Sequence, residues 1–171
     1  MNFSVCMSVY RNDNPDHFRT AVYSVYRQTV QPTEIILIVD GYVGTPLQNE
    51  IKLVESEIPI MRVVWLAKNV GLGNALRIAI TEASYDIIAR MDSDDIAVET
   101  RFEKQLKFFE NNNDYVSIVG GSIAEFIDIP DNIVGYRICP QTDAEIKQYI
   151  DKNKIYVECR NSLCISRWYY W

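Results

Sequence analysis

Apolar and polar positions along the chain alternate between two regimes. Short apolar runs of strand length are separated by stretches with apolar residues at helical spacing. Phe3 to Val9 is a short, mostly apolar run. Asn14 and Pro15 then have the residue types of an N-cap and a first helical position, and Phe18, Ala21, Val22 and Val25 follow on one helical face. Gln31-Pro32 closes that helix. Glu34 to Asp40, EIILIVD, is continuous, apolar and rich in β-branched residues, as in a strand covered on both faces of a parallel sheet. The pattern predicts a helix over 46–57, a third strand over 61–66, a helix over 71–83 with Leu72, Ala75, Leu76 and Ala79 inward, and a fourth strand from Tyr85 to Ala89.

Thr100 and Glu103 have capping-box spacing and open a helix that turns Phe102, Leu106 and Phe109 inward. YVSIVG, 115–120, reads as a fifth strand. Beyond Gly121 the pattern weakens. SIAEFIDIPDNIVGYRI suits two strands joined around Pro130-Asp131-Asn132, and 142–151 suits a short helix. The tail ends on Trp168, Tyr169, Tyr170 and Trp171 without a clear period. Strands alternating with helices predict an α/β fold, a mostly parallel sheet with helices on both faces. The expected organisation is an α/β domain over 1–120 and a partial region over 121–171.

Composition narrows the functional classes. The 171 residues suit one domain with an incomplete second lobe, and 48% hydrophobic with 23% charged residues is ordinary for a globular protein. The net charge of −6 lacks the basic footprint of a general nucleic-acid binder. No apolar run approaches the roughly 18 residues of a membrane span, and the N-terminus lacks the basic n-region of a secretion signal. Cys6, Cys139, Cys159 and Cys164 stand without a nearby histidine, His17 being the only one, so reduced thiols are expected rather than a zinc site.

In open parallel sheets, ligands sit beyond the carboxyl ends of the strands. Three polar features fall at such ends: Ser8-Val9-Tyr10, Asp40-Gly41 and Asp92-Ser93-Asp94-Asp95. The last places three carboxylates within four residues, which raise one another's pKa unless a positive charge sits between them. A solvated turn capping the next helix is one explanation; a site for Mg²⁺ or Mn²⁺ shared with substrate phosphates is the other. An EF-hand fails, because Ala97 stands where its glycine belongs and Ile96 where a ligand belongs. Asp40 is either a turn residue before Gly41 or an acceptor for a base or ribose. Gly71-Leu72-Gly73 lacks both the third glycine of a dinucleotide fingerprint and the Gly-Lys-Ser/Thr of a P-loop. Lys68 and Arg90 lie near the same edge, as surface and strand-end residues or as phosphate partners.

The stretches FSVCMSVYRND, AVYSVYRQTVQPTEIILIVDG, KNVGLGNALRIAI, YDIIARMDSDDIAVETRFEKQ and IVGGSIAEF together resemble the family 2 glycosyltransferases, in family order over about residues 1–127. The likeness is to bacterial enzymes that build capsule, exopolysaccharide or lipopolysaccharide. It implies a GT-A (Rossmann-like) fold, a nucleotide-diphosphate sugar donor, expected to be UDP-linked, and a glycan or lipid-linked acceptor, with inversion. It also implies a cytoplasmic place, at the inner face of the membrane or peripherally bound to it, and no nucleic-acid partner. By that resemblance Asp92-Ser93-Asp94 is the Asp-x-Asp motif. Asp94 would bind Mn²⁺ or Mg²⁺, with Asp92 a second metal-side and nucleotide-side carboxylate and Asp95 in support. Ser8, Val9 and Tyr10 would line the nucleotide, and Asp40 would recognise the base. Here Val39-Asp40-Gly41-Tyr42 stands where the family has Asp-Asp-Gly-Ser, and the family proline before the next helix is replaced near Glu99. The family's general base has no counterpart before Trp171 and is expected beyond it, and 152–171 departs from the family continuation. The alternatives are a non-catalytic nucleotide-sugar-binding fragment, a nucleotidyltransferase and a structural α/β interaction domain.

Overall fold

A computed structural model describes residues 1–112, 116, 118–140, 142–153 and 163–165. In chain order they form β1 (Ser4–Val9), α1 (Pro15–Tyr26), β2 (Glu34–Val39), α2 (Thr45–Glu57), β3 (Met61–Trp65), α3 (Leu72–Glu82), β4 (Ile87–Arg90), α4 (Arg101–Asn111), β5 (Ile123–Phe126), β6 (Ile133–Arg137), α5 (Asp143–Asn153) and β7 (Leu163–Ile165). Among the described residues one sheet has the order β3-β2-β1-β4-β7, every neighbour parallel. Strands β5 and β6 form a separate antiparallel hairpin. The α/β architecture with a parallel sheet is therefore as the sequence pattern predicts.

The central strands are buried on both faces because their side chains alternate between two cores. Val5, Met7 and Val9 of β1 and Ile35, Leu37 and Val39 of β2 join one core with α1, α2 and α4. Cys6, Ile36, Ile38 and Ile88 point the other way, onto Ala75 and Ala79 of α3. The small residues on α3 let that helix lie close to the sheet.

Helix α1 starts where the sequence places it. Asn14 Oδ1 accepts from the backbone N–H groups of Asp16 and His17. It ends at Tyr26, five residues before Gln31-Pro32, and the Gln31 amide donates to the Tyr26 carbonyl at 3.1 Å.

Two expectations fail. The Thr100 side chain makes no cap bond at α4. Instead Gln28, 4% exposed, accepts from Phe102 N at 3.1 Å, while Glu103 accepts from the Thr29 hydroxyl at 2.9 Å. A buried long-range acceptor has displaced the local one. The capping box forms at α5, where Glu145 N donates to Thr142 Oγ1 and Thr142 N donates to Glu145. Val116 and residues 118–120, the described part of the expected fifth strand, carry no strand. The edge of β4 is taken by Leu163–Ile165 instead. Cys159 lies outside the described residues.

Candidate functional site

The strand order runs one way from β1 through β2 to β3 and the other way to β4. The reversal between β1 and β4 opens a crevice at their carboxyl ends. The predicted polar features meet there. A cleft of about 510 Å³ is lined by Ser8, Tyr10, Asp13, Asp40, Asn69 and the Asp92–Asp94 turn, among others. A second cavity of about 420 Å³ lies on the other side of the same turn and shares Asp92 and Asp94 with the first.

Each side chain owes its place to a strand end. Ser8 lies on the α3 side of β1 and is half-buried, and Tyr10, just beyond the strand, is 43% exposed. Val9 is the exception among the predicted lining residues. Its side chain turns into the core at 0% exposure, and its carbonyl accepts from Asp40 N at 2.8 Å.

Asp40 is 3% exposed. Its carboxylate accepts from Val70 N at 2.7 Å, Gly71 N at 2.9 Å and Asn69 Nδ2 at 3.0 Å. Asp40 thus shapes the loop that leads into α3, and its negative charge lies at the positive end of that helix. Gly41 is held at φ +84°, and a Cβ there would come within 2.5 Å of Asn69 N. Only glycine lets the two backbones approach this closely.

The aspartate turn carries its own counter-charge. The Arg90 guanidinium pairs with Asp92, the two side chains only 15% and 17% exposed. Of the two reserve cations considered from sequence, Arg90 is therefore bound within the turn, and Lys68 is exposed. Arg101, 1% exposed, donates to the Arg90 carbonyl at 2.8 Å and fixes the end of β4. Asp95 is 5% exposed and lines the second cavity, whereas Asp94 is exposed at the lip of both.

Asp13 is a site residue that the sequence pattern did not single out. Its Oδ2 accepts from Ser93 Oγ at 2.9 Å and from Tyr10 N at 3.0 Å. Burial raises its carboxyl above the usual 3.8. The bonds from Tyr10 and Ser93 oppose that rise, and the charges of Asp94 and Asp92 add to it. The available signal was an acid in the loop directly after β1, on the same sheet edge as the other acids. Asn69 was also missed.

Among the described residues, no three His, Cys, Asp or Glu side chains are grouped to hold a metal ion by themselves. No helix among them is long and apolar enough to cross a membrane.

The description Glycosyl transferase family 2 matches residues 4–164. The family pattern therefore extends well past residue 127 and through most of the segment expected to depart from it. An uncharacterized glycosyltransferase of Haemophilus influenzae is 41% identical over 152 residues, 89% of this chain and 56% of the relative. The amylovoran biosynthesis glycosyltransferase AmsE of Erwinia amylovora is 35% identical, over 72% of this chain and 46% of its own length. The Escherichia coli UDP-Gal:alpha-D-GlcNAc-diphosphoundecaprenol beta-1,3-galactosyltransferase is 39% identical, over 72% of this chain and 44% of its own. This chain spans about half the length of these relatives. Staphylococcus aureus TarS 1-349, solved in complex with UDP-GlcNAc, superposes with a TM-score of 0.62 at 19% identity, over 82% of this chain and 37% of that one, which shows the GT-A fold. With this extent of match, the chain belongs to glycosyl transferase family 2.

Proposed function

We propose that this chain forms the donor-binding part of a glycosyltransferase that moves a sugar from a UDP-sugar to a glycan or lipid-linked acceptor, with inversion, in cell-surface polysaccharide synthesis. The observation that carries this is the convergence of Tyr10, the Asp40-held loop and the Asp92–Asp94 turn on one cleft at the β1/β4 reversal. Relatives named for amylovoran biosynthesis and for galactosyl transfer from UDP-Gal support the substrate class. The working place is the cytoplasm, at the inner membrane face. Residues 1–120 hold the nucleotide sugar and 121–171 begin the acceptor side.

Ser8 and Tyr10 line the nucleotide, and Asp40 sets the floor on which the base rests. Asp92, held by Arg90, faces the ribose or donor sugar, and Asp95 supports the turn. The donor set fits Mn²⁺ or Mg²⁺: Asp94 offers exposed hard oxygen, Asp92 lies beside it, and substrate phosphates and water complete the shell that protein carboxylates leave open. Such an ion supplies charge neutralisation for the departing diphosphate. In the transfer, the acceptor oxygen bonds to the anomeric carbon from the face opposite the diphosphate. The carbon–oxygen bond to the diphosphate breaks with its electron pair, and the acceptor proton passes to a carboxylate general base.

A donor-binding module without transfer is the second reading, since the cleft at the β1/β4 reversal accounts for donor binding alone. Membership of the family argues against a nucleotidyltransferase or a purely structural domain. Thermal unfolding with UDP, GDP and dTDP, each with and without Mn²⁺, tests the donor site. Ligand at 100 times its Kd adds about 2.7 kcal/mol of stability. A Mn²⁺-dependent rise with UDP is expected; no rise with any nucleotide refutes the proposal. Transfer to an added acceptor then separates enzyme from binding module.

A further inference from the structure

The loop that carries the aspartates, residues 91–100, leaves the sheet at Arg90, the last residue of β4, and ends at Arg101, the first residue of α4. Its second half is fastened to the end of α1 and the residues after it. Ala97 N donates to Ser24 Oγ at 2.9 Å, Gln28 Nε2 to the Val98 carbonyl at 2.7 Å and Thr29 N to the Glu99 carbonyl at 2.9 Å. The first half bears Asp92, Asp94 and Asp95, and besides the Ser93–Asp13 bond it has a fastening of its own. The Arg101 side chain reaches back across the neck of the loop. Its guanidinium donates to the Arg90 carbonyl at 2.8 Å, to Met91 Sδ at 3.1 Å and, through Nε, to Gln105 Oε1 at 3.2 Å. Arg90 and Met91 are the two residues directly before Asp92.

Nothing in α4 itself calls for an arginine there. A cation in the first turn opposes the helix dipole, and a guanidinium at 1% exposure is costly unless its surroundings compensate it. Both costs make sense from what the planar fork holds. Arg90, whose carbonyl it grips, pairs through its own guanidinium with Asp92. A relay thus runs from Arg101 through the Arg90 backbone to the Asp92 carboxylate. Gln105, also 1% exposed, accepts from Nε and fixes the plane of the fork. The buried positive charge at the neck also eases the gathering of three carboxylates in one short turn. We propose that Arg101 is a positioning residue for metal binding. By closing the neck of the loop it holds Asp92 and Asp94 in the arrangement that takes a divalent cation together with a nucleoside diphosphate, so the turn is formed before the cation arrives. Buried as it is, Arg101 touches neither ligand. This rests on the donor-binding function proposed above.

Arg101→Lys tests this, because lysine keeps the charge but has no fork to reach Arg90, Met91 and Gln105 together. Electron paramagnetic resonance of free Mn²⁺, titrated with the chain and UDP, reads the metal-dependent complex. Calorimetry with UDP in a chelator reads the nucleotide cleft without metal. The variant should bind Mn²⁺ with UDP about tenfold more weakly or worse, as loss of a group that orients metal ligands does. Its affinity for UDP in the chelator should be unchanged. Ile51→Val, a trimmed core position on α2, is the control for lost stability and should leave both affinities as in the wild type. Should Arg101→Lys not fold, Gln105→Met decides in its place, since it frees the fork while leaving the arginine, and it should weaken the Mn²⁺ complex alone. If the folded variant keeps wild-type Mn²⁺ affinity, or loses affinity for UDP in the chelator by the same factor, the positioning role is refuted and the donor site stands. If the wild type binds no UDP in either condition, the donor function fails and this inference with it.

Discussion

The Ser93 hydroxyl donates to the Asp13 carboxylate at 2.9 Å, and with that bond the loop after β1 is tied to the turn after β4. The two segments are 80 residues apart in sequence and lie on either side of the strand-order reversal. Ser93 is 7% exposed, so the middle residue of the aspartate turn faces the protein while Asp94 faces solvent. The turn presents its outer carboxylates because its central side chain is anchored.

That anchor has a pH signature. The Asp13 carboxyl is raised above 3.8, chiefly by burial, so the folded state holds its proton more tightly than the unfolded chain does. Its contribution to stability is complete below 3.8 and is lost as pH rises through the raised folded value. In Asp13→Asn the amide oxygen still accepts from Ser93 and Tyr10, without a charge. The stability of Asp13→Asn relative to wild type should therefore grow as pH climbs through that window and then level off. Melting temperature against pH, measured in a chelator, checks this; a constant difference counts against it.

Asp40→Ala removes a buried acceptor from Val70 N, Gly71 N and Asn69 Nδ2. Leaving such donors unsatisfied should cost about 3 kcal/mol of folding stability. Nucleotide binding should weaken with or without metal, because the loop before α3 loses its shape. Urea unfolding reads the first effect and calorimetry the second.

Gly41→Ala should be destabilising by at least about 2 kcal/mol, since the new Cβ meets backbone rather than a movable side chain and φ is positive. Gly71→Ala shares the positive φ but has open space around its Cβ, so it should cost less. Comparing the two midpoints in urea separates backbone strain from steric collision.

Asp94→Asn should change folding stability by no more than about 0.5 kcal/mol, as befits an exposed side chain. It should nevertheless remove most of the Mn²⁺-dependent stabilisation by UDP. An unchanged Mn²⁺-dependent shift would exclude Asp94 as a metal ligand.

Features carried by a short repeating pattern or by a few consecutive residues could mostly be read along the chain. The alternating side chains of β1 and β2 and the one-sided face of α1 were legible because each pattern repeats within one element; on α3 Ala75 and Ala79 are buried as expected, but Leu72, in the first turn, is 51% exposed. The Asn14 cap and the hairpin around Pro130-Asp131-Asn132 were legible because their chemistry is contained in a few consecutive residues. The choice between equivalent partners, in contrast, depended on the folded arrangement. Thr100–Glu103 and Thr142–Glu145 have the same spacing, yet only the second pair forms a capping box, because buried Gln28 reaches the start of α4 and satisfies Phe102 N first. Leu163–Ile165 is too short to show a period and becomes a strand only through β4. The counter-charge of the aspartate turn is Arg90, two residues away, and its anchor is Asp13, which reaches Ser93 from the loop after β1. Burial makes such satisfaction compulsory, but which donor meets which acceptor depends on distances that exist only once the sheet has formed.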